Sequence, residues 1–279
     1  MTTTTTITTT NSKKTTTTDL LNLAKRAQEF RSSDEFKAWL EFLGNFYNYS
    51  YNNTWLIFTQ RPTATHVATY KKWEKMGRHV KKGEKGIAIL VPCWKKKEGE
   101  TRAEYVERTE KEYANFFIIG HVFDIAQTEG ADLPTLDAIS IEEQDTATDV
   151  LFDQIAQVSG YKVRFEDIKK EGLGGWCDHS AKEIVIDSKQ NKAERIATLI
   201  HETAHALFED EYKNYSRKEN EIYADAVAYS VLTALDINPG NRNIKYLASW
   251  GADTVYMKIL APHIIKAVQT VLKTTQTED

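Results

Sequence analysis

The spacing of apolar residues along this chain changes twice, and each change marks a new kind of element. Leu20, Leu21, Leu23, Ala24, Ala27 and Phe30 follow Asp19 at helical intervals and predict a helix over 19–31. Ser33-Asp34-Glu35-Phe36 opens a second, carried through Trp39, Leu40, Phe42 and Leu43. Asn53 to Gln60 predicts a third, which stops before Pro62 because the residue ahead of proline resists the α conformation. Val67 to Met76 predicts a fourth, ended by Gly77. The period then shortens. Residues 86–92 and 116–123 read as partnered strands, and the charged stretch 95–112 between them reads as an exposed loop or hairpin tip. After a polar segment the helical period returns at 147–158. A strand at Tyr161–Phe165 follows, then a Gly-rich turn at 172–175. A short edge hairpin comes next, from Trp176 and Glu183–Asp187. Helices over about 191–210, 217–235 and 253 into the 270s complete the pattern, with Pro262 kinking or dividing the last.

These elements predict an α+β protein. Residues 1–18 are Thr-rich and read as a disordered tail. A helical domain with a small antiparallel sheet occupies 19–130, a linker 131–145, and a mainly helical domain with a short sheet 146–279. Hydrophobic residues at 41% and charged residues at 27% mark a globular chain rather than a disordered one. No apolar run approaches the roughly 18–20 residues of a membrane span. The amino terminus lacks an apolar leader core, and two widely separated cysteines, Cys93 and Cys177, make no disulfide framework. The expectation is a cytoplasmic protein with reduced thiols and no membrane partner. Cys177 and His179 offer a minor second metal candidate.

The chemistry is concentrated in His201-Glu202-Thr203-Ala204-His205. On a helix, positions four apart share a face, so His201 and His205 can aim two imidazoles at one Zn2+. Glu202 lies about 100° round the helix, beside the open position of the metal, where a carboxylate can take a proton from water. Glu221 and Asp225 lie on the next helix at E-x-x-x-D spacing. Zinc peptidases of the glutamate type take their third ligand from such a Glu, and a following Asp orients a ligand imidazole. Glu219 and Asp225 remain alternatives to Glu221 as ligand. Tyr223, Tyr229, Tyr246 and His263 are candidate donors to a developing oxyanion.

Charge divides the chain. Residues 1–130 hold 20 Lys and Arg against 15 Asp and Glu, whereas 131–279 hold 16 against 25. The excess in the first half gathers at Lys71, Lys72, Lys75, Arg78, Lys81, Lys82 and Lys85, interleaved with Tyr70 and Trp73. Cations that neutralise phosphates and aromatic faces that stack on bases suit single-stranded nucleic acid.

At this point a resemblance enters. Tyr51-Asn52-Asn53-Thr54-Trp55-Leu56, Gln60-Arg61-Pro62, residues 73–86 and Val122-Phe123-Asp124-Ile125-Ala126-Gln127-Thr128 resemble the single-stranded-DNA-binding domain of ArdC-type antirestriction proteins. The segments 201–205 and 221–229 resemble the zincin-like metallopeptidase domain of the same proteins, and are similar to the ImmA/IrrE group. The resemblance implies DNA binding by the first domain, in protection of incoming plasmid or phage DNA. It also implies a metal on His201, His205 and Glu221, with Glu202 as base in hydrolysis of a peptide or protein substrate. Two alternatives stand beside that reading. One is a non-enzymatic coat for single strands with a structural metal; the other is a peptidase that cleaves a repressor, as the ImmA/IrrE likeness suggests.

Overall fold

A computed structural model of the chain describes residues 15–27, 33–111, 114–132, 146–237 and 254–275. Most of the Thr-rich tail and of the expected linker lie outside these residues, as do Pro239, Gly240 and Tyr246.

The first half begins with three helices, α1 (Thr17–Ala27), α2 (Ser33–Asn45) and α3 (Tyr51–Gln60). Their apolar faces meet through large aromatics. Trp39 and Trp55 stack at 5.0 Å and 13° and are both buried. A three-stranded antiparallel sheet follows, in the order β1 (Val67–Ala68), β4 (Phe116–Asp124), β3 (Ile87–Cys93). The outer edge of β3 is closed by side chains. Asn53 donates to the Leu90 carbonyl at 2.8 Å and accepts from the Leu90 amide at 2.8 Å. Gln60 does the same for Ala88, at 2.8 and 3.0 Å. Two α3 amides seven residues apart thus stand in for a neighbouring strand and satisfy an edge that would otherwise invite pairing.

Three expectations are corrected in this half. Val67 and Ala68 are not helical; they pair with Asp124 and Phe123, and only α4 (Tyr70–Lys75) is helix, started by Thr69 accepting from the Lys72 amide. The stretch 95–112 is not all loop, since α5 (Arg102–Lys111) forms within it. Thr101 and Glu104 cap its start reciprocally, which overrides the high charge of the segment. Finally, β2 (Arg78–Val80) pairs with β5 (Thr128–Gly130) in a small ribbon that periodicity did not reveal.

The second half opens with α6 (Thr146–Ser159). Its sheet runs β6 (Lys162–Glu166), β8 (Glu183–Asp187), β7 (Gly175–Asp178), with β6 parallel and β7 antiparallel to β8. Glu183–Asp187 is therefore the central strand rather than an edge, and its Ile184, Val185 and Ile186 are buried as a central strand requires. Against it packs α7 (Lys192–Leu207); α8 (Arg217–Ala234) packs on α7, and α9 (Thr254–Thr275), continuous through Pro262, packs on α8 and α6.

One hydrophobic cluster spans both halves, from Trp39 and Trp55 to Ile200 and Val268. The join is α2 against α8. A Cβ on Gly44 would lie 2.9 Å from both the Ala234 Cβ and the Ser230 carbonyl, so glycine sets how closely the helices approach. One turn away, the Tyr229 hydroxyl donates to Glu41 at 2.5 Å.

Candidate metal centre and basic surface

The helix α7 starts at a reciprocal cap between Asn191 and Glu194 and buries Ile196, Leu199 and Ile200, a face that fixes its rotation. His201 and His205, one turn apart, then project to the same side. The helix α8 starts at a similar cap, in which the Ser216 amide donates to Glu219 at 2.6 Å. That contact occupies Glu219 and takes it away from the metal position.

Nε2 of His201 lies 3.2 Å from Nε2 of His205 and 3.4 Å from Oε2 of Glu221, while His205 to Glu221 is 3.9 Å. Among the described residues these three form the one group of potential metal donors, with ligand atoms within 4.8 Å of one another. Asp225 stands behind them. Its Oδ1 is 3.0 Å from Nδ1 of His201, so that nitrogen donates its proton to Asp225 and Nε2 faces Glu221.

The electrostatics favour a cation. Burial pulls the His201 pKa down, but contacts with Asp225 and Glu221 outweigh it and the net shift is upward. His205 shifts downward through burial and the neighbouring His201 charge. Contact with His201 holds Glu221 below the usual carboxylate range. Burial pushes Glu202 up to about 7, although a backbone hydrogen bond from Cys177 and the His201 charge oppose the rise. Three acids therefore surround two imidazoles, and without a metal a proton on His201 carries the positive charge they demand. Two imidazoles and a carboxylate with converging lone pairs fit a divalent ion of zinc type.

The centre opens into a cleft of about 810 Å³. One wall is the edge strand β7, the floor is α7 from Asn191 to His205, and the far wall comes from 212–221. Of the three described oxyanion candidates none lines this cleft. Tyr223 is buried and stacked on Phe208 at 4.1 Å, the Tyr229 hydroxyl is taken by Glu41, and His263 packs on Phe208. Tyr246 is outside the described residues. The rings that line the cleft outside the motif are Trp176, His179, Tyr212 and Tyr215, which no helical spacing links to H-E-x-x-H. Cys177 lines it as well, with its thiol pushed up to about 12 by burial and by Glu202. It and His179 belong to no three-residue donor group among the described residues.

The basic surface is sorted by burial. Trp73 is buried and its indole donates to the Phe123 carbonyl at 2.8 Å, so its face is closed to bases. Arg78 is buried too; its guanidinium donates to Thr128 Oγ1 at 2.8 Å and to the carbonyls of Gly130 and Ala131. Both are corrected from nucleic-acid contacts to ties within the fold. Lys71, Lys72, Lys75, Lys81, Lys82 and Lys85 are exposed, and Tyr70, 48% exposed, presents a ring beside them. The loop bearing Lys81–Lys85 is anchored by Gln127, which donates to Glu84 at 2.8 Å and to the Lys85 carbonyl at 2.9 Å. Asp124 accepts from Arg61, Thr65, His66 and Ala126, so Arg61 and the 124–127 segment hold the fold together.

Two family models match this chain. Residues 13–123 match the N-terminal domain of anti-restriction factor ArdC, and residues 156–235 match the IrrE N-terminal-like domain of the M78 peptidases. An uncharacterized protein of Bacillus anthracis is 24% identical over 259 residues; the match takes in 79% of this chain but only 44% of that relative's length. The Mn(II)-bound crystal structure of antirestriction protein ArdC from plasmid R388 shares the fold, with a TM-score of 0.51 and 17% identity over 92% of this chain and 99% of that one. The metal-free structure of the same protein aligns with a TM-score of 0.47 at 19% identity, covering 80% of this chain and 83% of that one.

Proposed function

We propose that this chain, which is of ArdC type and carries an IrrE-like second domain, is a divalent-metal peptidase joined to a module that binds single-stranded DNA. The observation that carries the reading is the convergence of His201, His205 and Glu221, with the buried Glu202 beside them, on the lining of one cleft. His201, His205 and Glu221 would hold the ion, and Asp225 would orient His201. The donor set favours Zn2+, and the similar R388 protein with its Mn(II) makes manganese the competing ion.

A divalent cation there supplies polarisation of a peptide carbonyl and acidification of water. Glu202 takes a proton from the attacking water as the new C–O bond forms and the carbonyl π pair moves onto oxygen. When the adduct collapses, the C–N bond breaks and Glu202 returns the proton to the departing amine. The edge strand β7, whose one strand partner among the described residues is β8, would receive an extended peptide by strand pairing.

The DNA reading rests on the six exposed lysines, with Tyr70 in place of Trp73 as the stacking ring. The deciding experiment is Glu202→Gln in the zinc-loaded protein against a mixed peptide library. Metal retained and cleavage abolished is the expected result. Cleavage at the wild-type rate overturns the assignment. Antirestriction activity unchanged in Glu202→Gln would favour the strand-coating alternative.

A further inference from the structure

The DNA reading leaves Tyr70 alone to stack on bases. We infer that His121 is a second stacking ring: its imidazole packs on the base next to the one on Tyr70, in a single patch beside the Lys81–Lys85 loop. The inference rests on the DNA reading and names a residue and a place within it.

Strand alternation puts His121 and Phe123 on the same face of β4, about 7 Å apart along it. His121 is exposed and Phe123 half-buried. Phe123 joins the two outer rings. Tyr70 meets it edge-on at 6.5 Å and 76°. Its backbone is pinned on both sides, by pairing with Ala68 on β1 and by the Trp73 indole, which donates to its carbonyl at 2.8 Å. The basic loop reaches the same face. A Cβ on Gly86 would lie 2.9 Å from the His121 Cβ and 3.1 Å from the Phe123 Cζ, so the residue after Lys85 rests against both side chains. Being glycine, it adds no side chain to cover them.

Charge tells which side of the patch takes the phosphates. Lys81, Lys82 and Lys85 are exposed and outnumber Glu84, whose carboxylate is tied to Gln127 at 2.8 Å. Glu74 lies one helical turn beyond Tyr70. The backbone of a bound strand is therefore favoured along the Lys81–Lys85 loop, with its bases toward Tyr70 and His121. An imidazole stacks on bases, and its N–H can be accepted by a phosphate or a base edge. A duplex offers no free base face, so the two rings contribute to single strands alone.

The test is fluorescence anisotropy of the full chain with a labelled oligo(dT) of about 15 nucleotides, and with a duplex of the same length, at several salt concentrations. His121→Ala should weaken oligo(dT) by about 5- to 50-fold while duplex affinity, salt slope and thermal melting stay as in wild type. His121→Phe, which keeps a stacking face, should recover most of the loss. Phe117→Ala removes an exposed ring about 14 Å further along the same face and should leave binding within about 2-fold. With 5-iodouracil in the oligonucleotide, photocrosslinks should map to Tyr70 or His121. Equal loss for single strand and duplex in His121→Ala, no loss at all, or crosslinks confined to other residues overturns the inference and leaves the DNA reading on its lysines. Absence of salt-dependent oligo(dT) binding by the wild-type protein overturns the DNA reading itself, and this inference with it.

Discussion

Asp225 Oδ1 and His201 Nδ1, 3.0 Å apart, determine which nitrogen of that imidazole is free to bind. The carboxylate draws the ring proton to the rear and turns Nε2 toward Glu221. Asp225→Asn keeps the volume but removes the charge that enforces this tautomer. Zinc affinity should fall about 10-fold or more, read by competition with a chromogenic chelator, while the fold is retained.

Glu202 makes the metal-free protein sensitive to pH. Its pKa is about 7 when folded against 4.5 ordinarily, so between these values the folded chain holds a proton that the unfolded chain has lost. Stability therefore falls as pH rises through that window, and the full penalty, on the order of 3 kcal/mol, is present above it. Glu202→Gln escapes the penalty. In chelator, its melting temperature should match wild type near pH 4.5 and exceed it at pH 8; equal melting at both would show that the acid is well solvated.

Gly44 lies in the last turn of α2, and within a helix alanine ordinarily stabilises relative to glycine by up to about 1 kcal/mol. Here the added methyl would meet Ala234 and the Ser230 carbonyl at 2.9 Å. Gly44→Ala should destabilise the whole chain by about 1–3 kcal/mol in urea unfolding, the opposite sign to the exposed-helix rule.

Arg78 and Lys82 should separate fold from function although both are cations of one basic segment. Lys82→Ala should weaken binding to single-stranded DNA and reduce the salt slope by about 1, leaving melting unchanged. Arg78→Ala strips the donors from Thr128, Gly130 and Ala131 and should cost about 1–3 kcal/mol of stability. Fluorescence anisotropy at several salt concentrations, with thermal melts alongside, distinguishes the two.

Legibility followed the range of the interactions. His201, His205 and Glu202 could be placed from the sequence because helix geometry fixes residues four apart. Glu221 could be placed because its helix follows directly. The Thr101–Glu104 cap was equally local, and it was masked only by the charge of its segment. Trp73 and Arg78 were misassigned for the opposite reason: what closes them lies about 50 residues away, at Phe123 and Thr128. The choice of β7 over β8 as the edge required the parallel pairing of β6, which no local pattern encodes.

The helix α8 carries Glu221, Asp225 and Tyr229 at four-residue steps, two facing the metal centre and the third reaching Glu41 on α2. A single rod thus has one end committed to chemistry and its flank to the other half of the molecule. Excising residues 146–275 as a stand-alone unit would strip that flank of its cover and leave an oily stripe in water. Grafting the second half onto a different carrier would require transplanting α2 with it.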